Sequence, residues 1–580
     1  MYRARRNEGG AALLTALLVL VMLVGLSAAI LSMVMADYRE ARFNREIVKA
    51  TAMAEAATEV AHKAVLVAAA NYRAVPAGGT ATINGIDVPY TITPVSTQRI
   101  EVDGQGVQTI IQPYLIASAA TSNGYTKHVE KIIDLEKTPI FQYVVFYHED
   151  LEILPGPSMN LQGRIHSNHD IYIGCGGTLT LQTEHLHAAG GMFRRRKNDG
   201  SLTAGNIDIK VRGSSNYRNM ESRSQFPPPS ISGFDTDFLG FDANGDGRLD
   251  GSHDYQNWTI RALERWRGTV QTAEHGIRQV EAPSVGNIHM YAPAAEGTGN
   301  YNYDEFSGTY YQVAGGTGEY EKGHFYRNAD LIIIDGTAYD GDGNPIIWPD
   351  IDGDGQPDSP ISESTFYNGR EGTYVTTTDI DMDILGKSGH WPDNGLLYAT
   401  DTTANPSQPD GVRLVNGSAL AAPLTLVSPT PVYTLGDYNV GNATHAKQPA
   451  AIITDAYNVL SNAWDDAAKG PGSLPKATPT TINAAFITGS YVTQPGRYNG
   501  GFENLPRFHE NWSGIPARIR GSFVNIWDSE VATGQWVYGG DHYTAPNRDW
   551  NYDTDFNDIS KLPPFTPSVV GTTRVVWVIR

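Results

Sequence analysis

The sequence predicts a mainly β protein carried on one long N-terminal α-helix, with a β-rich head formed as a right-handed parallel β-helix with helical insertions. Three observations carry that prediction. A charge-free apolar run from Ala11 to Ala36 continues into residues of high helix propensity, with no Gly or Pro between Gly25 and Pro76. Beyond it, short apolar runs parted by Gly, Asn, Pro and His fill most of the chain. Sixty glycines, 33 prolines and 30 tyrosines, against 18% charged residues, are the composition of turn-rich β structure.

The helix comes first. At about 1.5 Å per residue the run from Ala11 to Ala36 spans the ~30 Å hydrocarbon layer of a bilayer. It is too long for the apolar core of a cleaved signal peptide, roughly 7–15 residues. Arg3, Arg5 and Arg6 precede it, which keeps the N-terminus cytoplasmic and sends the remainder outward. Past the membrane, Tyr38, Ala41, Val48, Ala52, Ala56, Val60 and Ala64 recur at helical steps among charged residues, a stripe for a domain or a neighbouring helix. Pro76 and Gly78-Gly79 end the rod.

A short basic leader, a glycine, then an apolar helix that turns amphipathic resembles a type IV prepilin, and "GGAALLTALLVLVMLVGLSA" resembles the PilX-type minor pilins and the K-type pseudopilins of type II secretion. The resemblance covers roughly the first 70 residues. It implies a leader over 1–10, cleavage after Gly10 by prepilin peptidase (after Gly9 in the alternative), and Ala11 as a methylated N-terminus. It also implies other pilins or pseudopilins as partners, and an inner-membrane stage before export to a filament, the cell surface or the periplasm of a diderm bacterium. Pilins of this kind carry a glutamate four residues beyond Ala11, where this chain has Thr15. In such filaments that carboxylate meets the amino terminus of the previously added subunit, and a buried amine without its counter-charge costs several kcal/mol. Thr15 therefore marks a tip position, where nothing sits above.

Residues 80–138 read as a small β region around an Asn-Gly turn at 84–85. From 139 to 580 the texture is that of the head. Ile165, Ile171, Ile173, Leu179, Leu181 and Leu186 fall about one short coil apart, as the inward residues of a parallel β-helix do. Residues 212–327 read as an insertion holding one helix, "NWTIRALERWRGTVQT", and 450–469 as a second helix. The tail resembles the C-terminal region of large proteins that share the PilX-type N-terminus.

Two acidic loops could hold calcium. Asp242, Asn244, Asp246, Arg248 and Asp250 occupy alternate positions of a calcium loop, Gly247 at its turn and Arg248 offering a carbonyl. Asp350, Asp352, Asp354, Gln356 and Asp358 repeat the scheme and resemble thrombospondin type 3 repeats. Oxygen ligands at alternate positions wrap a hard cation, with weak affinity of the extracellular kind expected. Further candidates are His166, His169, His185 and His187 with Cys175 as a zinc cluster, and Asp379, Asp381 and Asp383 as three carboxylates on one strand face. Cys175 is the single cysteine, so no internal disulfide forms.

The formal charge of -20 opposes nucleic acid as the main partner. Neither a GxSxG, an HExxH nor a phosphate loop is present. The sequence thus reads as a non-enzymatic minor pilin or pseudopilin that primes a type IV-like filament and presents an adhesive head to a surface glycan or protein ligand. The alternative is a membrane-anchored β-helix enzyme or binding protein acting on polysaccharide, as lyase or hydrolase.

Overall fold

The computed structural model describes residues 8–102, 106–220, 252, 258–293, 301–304, 309–312 and 320–579. It is mainly β with a long N-terminal helix, Glu8–Ala70. That helix ends where Asn71 donates both its backbone N–H and its side-chain amide to the Val67 carbonyl and Tyr72 turns to a φ of 58°.

Its second half lies on an antiparallel sheet of Gly78–Ile83, Ile86–Pro94, Gln108–Ser122, Tyr125–Pro139 and Ser568–Ile579, with Arg99–Val102 paired to one side. The two tightest turns are Asn84-Gly85 and Asn123-Gly124, all four residues at positive φ, as a two-residue hairpin requires. Met53, Ala54 and Ala57 pack on Ala81, Val88, Ala120 and Val129. Further along, Ala61, Val65 and Ala70 pack on Ile92, Ile116, Ile133, Leu135 and Val570. The buried face is therefore mostly alanine, which lets helix and sheet approach closely. The stripe expected to serve a domain or a neighbouring helix points away from this sheet: Tyr38, Val48 and Val60 are exposed.

Ser568 pairs with Pro139, so the chain leaves this sheet and returns to it at adjacent positions. Everything from 140 to 567 is inserted between two neighbouring strands. The strand Ser568–Ile579, expected with the head, belongs to the small sheet because its Val570 completes the layer beneath the helix, while Val569 on the opposite face packs into the head's core. Helix and head are also tied together directly. Asn71 Oδ1 accepts from Ser284 and Asn287, Lys63 pairs with Glu281 at 2.5 Å, and the Tyr72 ring stacks on His324.

Within the head, among the described residues, one sheet holds eleven strands. Its fourth strand, Val145–Tyr147, pairs in parallel with Ile165–Ser167 on one side and Phe523–Asn525 on the other. From there the chain steps outward through Leu186–Ala188 to Val270–Gln271. It resumes at the far end with Leu331–Ile334 and steps back through Leu396–Thr400, Leu424–Ser428, Ala450–Thr454 and Ala485–Thr488 to close on the first strand. Shorter parallel ladders run alongside, such as Leu151–Ile153 with Ile171–Ile173 and Met192–Phe193. Like residues stack in register: Ile165 on Leu186 on Val270, and Leu161 on Leu181 on Ile209. The sheets are mixed, because Tyr217–Asn219, Thr337–Asp340 and Ile361–Asn368 join antiparallel at edges.

Of the two helices expected in the head, Trp258–Trp266 forms, burying Trp258, Ala262 and Trp266. The stretch 450–469 does not. It makes the strands Ala450–Thr454 and Tyr457–Leu460, whose residues are buried on both faces between parallel neighbours.

Candidate functional site

The N-terminal segment carries the first candidate site. From Gly10 to Arg45 every residue of the helix is exposed. Leu13, Met22 and Met33 keep 75%, 69% and 68% of their surface open, whereas Ala50, Ala54 and Ala57 are wholly buried. Each large apolar side chain here is worth about 1.5–3 kcal/mol on leaving water, so this half-helix needs an apolar host, lipid or other helices. Among the described residues it is the one helix long and apolar enough to cross a membrane.

Gly10 and Ala11 lie in its first turns, both exposed. One turn on, the Thr15 hydroxyl donates to the carbonyls of Ala11 and Ala12 at 2.8 and 3.0 Å. It is satisfied within its own helix and presents no charge to a neighbour. Lower down, the ionic contacts face the sheet: Glu46 accepts from Ser122 at 2.6 Å, and buried Lys131 meets Glu59 at 2.9 Å.

The second candidate site is the loop 350–358. Oxygens of Asp350, Asp352 and Asp358 lie within 4.8 Å of one another. The loop is wound by its own carboxylates. Asp350 accepts from the N–H of Gly353 and Gly355 at 2.7 and 2.9 Å, and Asp358 from that of Ile351 at 2.7 Å. Gly353 and Gly355 sit at φ of 81° and 90°, the left-handed turns the winding requires. Asp354 and Gln356 stand outside this group of three; Asp354 accepts from the Gln356 N–H instead. The other loop, with Asp242, Asn244, Asp246, Arg248 and Asp250, lies outside the described residues.

The remaining clusters disperse. His185 and His187 stack with ring centroids 3.5 Å apart, but His166 is 6.5 Å from His185 and bonds to Asn168. Burial holds the His166 ring down at about 4, and it holds His185 and His187 well below their usual range, so all three are neutral packing groups. His169 is set apart, beside Glu149. Asp379 is buried in a two-point pair with Arg413 at 3.0 and 2.6 Å. Asp381 caps the short helix Met382–Lys387, and Asp383 pairs with Lys387. The three carboxylates therefore do not share a face. Cys175 is buried, and burial pushes its thiol up, away from nucleophilic use.

Sequence reading missed a cavity of about 510 Å3 lined by Glu503, Arg548, Arg196 and a group of aromatic rings. Its residues come from separate stretches of the chain, and no spacing motif announces them.

No protein-family model and no curated protein matches the chain. Among solved structures, the competence-associated pilin ComZ from Thermus thermophilus aligns over 92% of this chain and 97% of its own, at 12% identity and a TM-score of 0.22. That likeness is too slight to carry fold or function from one chain to the other.

Proposed function

We propose that this chain is a minor pilin- or pseudopilin-type subunit that takes the tip of a type IV-like filament, primes assembly, and displays its head as an adhesive or partner-binding surface. One observation carries the reading. A single helix is bare and apolar over its first half and seated on its own sheet over its second half, a shape suited to a bundle of like helices. Thr15 offers a subunit above it no counter-charge for a buried amine. Tyr38, Val48 and Val60 supply an outward stripe for neighbouring rods. The stacked parallel ladders support a right-handed parallel β-helix as the head's architecture. Protein sheared from cells tests the assignment. Mass spectrometry is expected to find a methylated N-terminal Ala11, and an intact Met1 would make the segment a plain anchor.

Calcium at Asp350, Asp352 and Asp358 belongs to the same proposal. Three carboxylates this close repel one another, and a hard cation relieves that repulsion. Asp352→Asn keeps the loop's shape and removes one charge. Titration of the full chain should show one calcium site fewer in this variant than in the wild type, and an equal count contradicts the site.

A further inference from the structure

The cavity beside Glu503, at about 510 Å3, is of the size that receives small ligands. One part of its lining is an aromatic platform. The Trp536 ring meets Tyr498 edge-on at 5.1 Å and runs nearly parallel to Tyr538 at 6.4 Å. Trp536 is held from three sides. Its Nε1 donates to the Tyr543 hydroxyl at 2.8 Å, its backbone N–H donates to Tyr491 at 3.0 Å, and its ring fills the space that a Cβ on Gly500 would need. Tyr538, by contrast, is 57% exposed. A fixed ring with an open ring beside it is a stacking surface left for something else.

The charged part of the lining sets two guanidinium groups beside the buried Glu503 carboxyl. Among the described residues the Arg196 side chain makes no hydrogen bond or ion pair. Arg548 donates Nε to the Glu503 carbonyl at 3.0 Å and Nη2 to Asn504 at 3.5 Å, and among the described residues its Nη1 has no acceptor. Two guanidinium groups with unused donors thus border one volume, the arrangement that takes a carboxylate.

We propose that this cavity binds one carboxylate-bearing sugar at the end of a glycan, its apolar ring face on Trp536 and Tyr538 and its carboxylate on Arg196 and Arg548. A single terminal acid, rather than a long polyanion, agrees with a chain of formal charge -20. The inference rests on reading the head as a binding surface. It does not depend on where in a filament the subunit sits, so a failed sugar assay leaves the tip assignment standing and a failed tip assignment leaves the sugar site standing.

The test uses the purified full chain in detergent micelles and calorimetric titration with methyl glycosides of glucuronate, galacturonate and sialic acid, their neutral counterparts, and a thymidine oligonucleotide. At least one acidic glycoside should bind tenfold or more tightly than its neutral counterpart. Arg196→Ala should erase that preference, and Tyr538→Ala should weaken binding of both forms about tenfold. Both variants replace side chains that bear little of the fold, and an unchanged unfolding temperature verifies this. Equal binding of acidic and neutral sugars, no sugar binding, or variants without effect overturn the proposal. Tight oligonucleotide binding lost with Tyr538→Ala also overturns it, giving the cavity to nucleic acid.

Discussion

Glu503 combines the head's packing and its chemistry in one side chain. It is 4% exposed, and Oε2 accepts the Leu154 N–H at 3.1 Å. Burial pushes its carboxyl up to about 7, more than the nearby Arg548 and that N–H bring it down. The folded chain therefore holds a proton there that the unfolded chain releases near its ordinary value of 4.5. The sign follows from proton counts: the folded state binds more protons between these two values, so stability falls as pH rises through that window. The cost above pH 7 is about 3 kcal/mol. Glu503→Gln cannot ionise, so denaturant unfolding at pH 5 and pH 8 should show a smaller loss in the variant than in the wild type. An undiminished loss would mean that Glu503 is not the group that titrates. Arg413 solves the same problem of buried charge differently, with two hydrogen bonds to Asp379 and a further pair to Asp466.

At the scale of elements, the contact between helix and sheet rests on small side chains. Ala57 is wholly buried against the sheet, and Ala57→Leu adds bulk where helix and strands nearly touch. It should cost about 1–3 kcal/mol, read as a lower unfolding midpoint, and an unchanged midpoint would show the interface to be loose. This element also shows what the sequence discloses. The rod's extent was legible, because helix formers run unbroken to Pro76. Its buried face was not, because alanines at 50, 52, 54, 56 and 57 put small apolar side chains on more than one side of that stretch. The Asn84-Gly85 turn was legible from local chemistry. At 450–469 the apolar residues Ile453, Tyr457, Leu460 and Trp464 keep helical spacing, yet parallel partners on either side draw the chain into strands. The partner of the last strand was hidden for another reason. Nothing local tells residues 568–579 that their ladder lies at 129–139. The cavity was hidden likewise, since Arg196 and Trp536 meet only in three dimensions.

At the scale of the molecule, the head is an insertion between two adjacent strands of the sheet on which the helix rests. Both ends of the head leave from one place, close to the contacts of Asn71 and Lys63 with residues 281–287. Rod and head are thus joined at several points, not by a free linker. A load of that bulk on each subunit would crowd a closely repeating shaft, and a rod without a carboxylate at position 15 leaves a subunit above it unpaired. Both features support the proposed place at the leading end of a filament. Gold-labelled antibody against the head, imaged on intact filaments, tests this most directly. The account predicts one cluster of label at one end of each filament, and label spaced regularly along the shaft would contradict it.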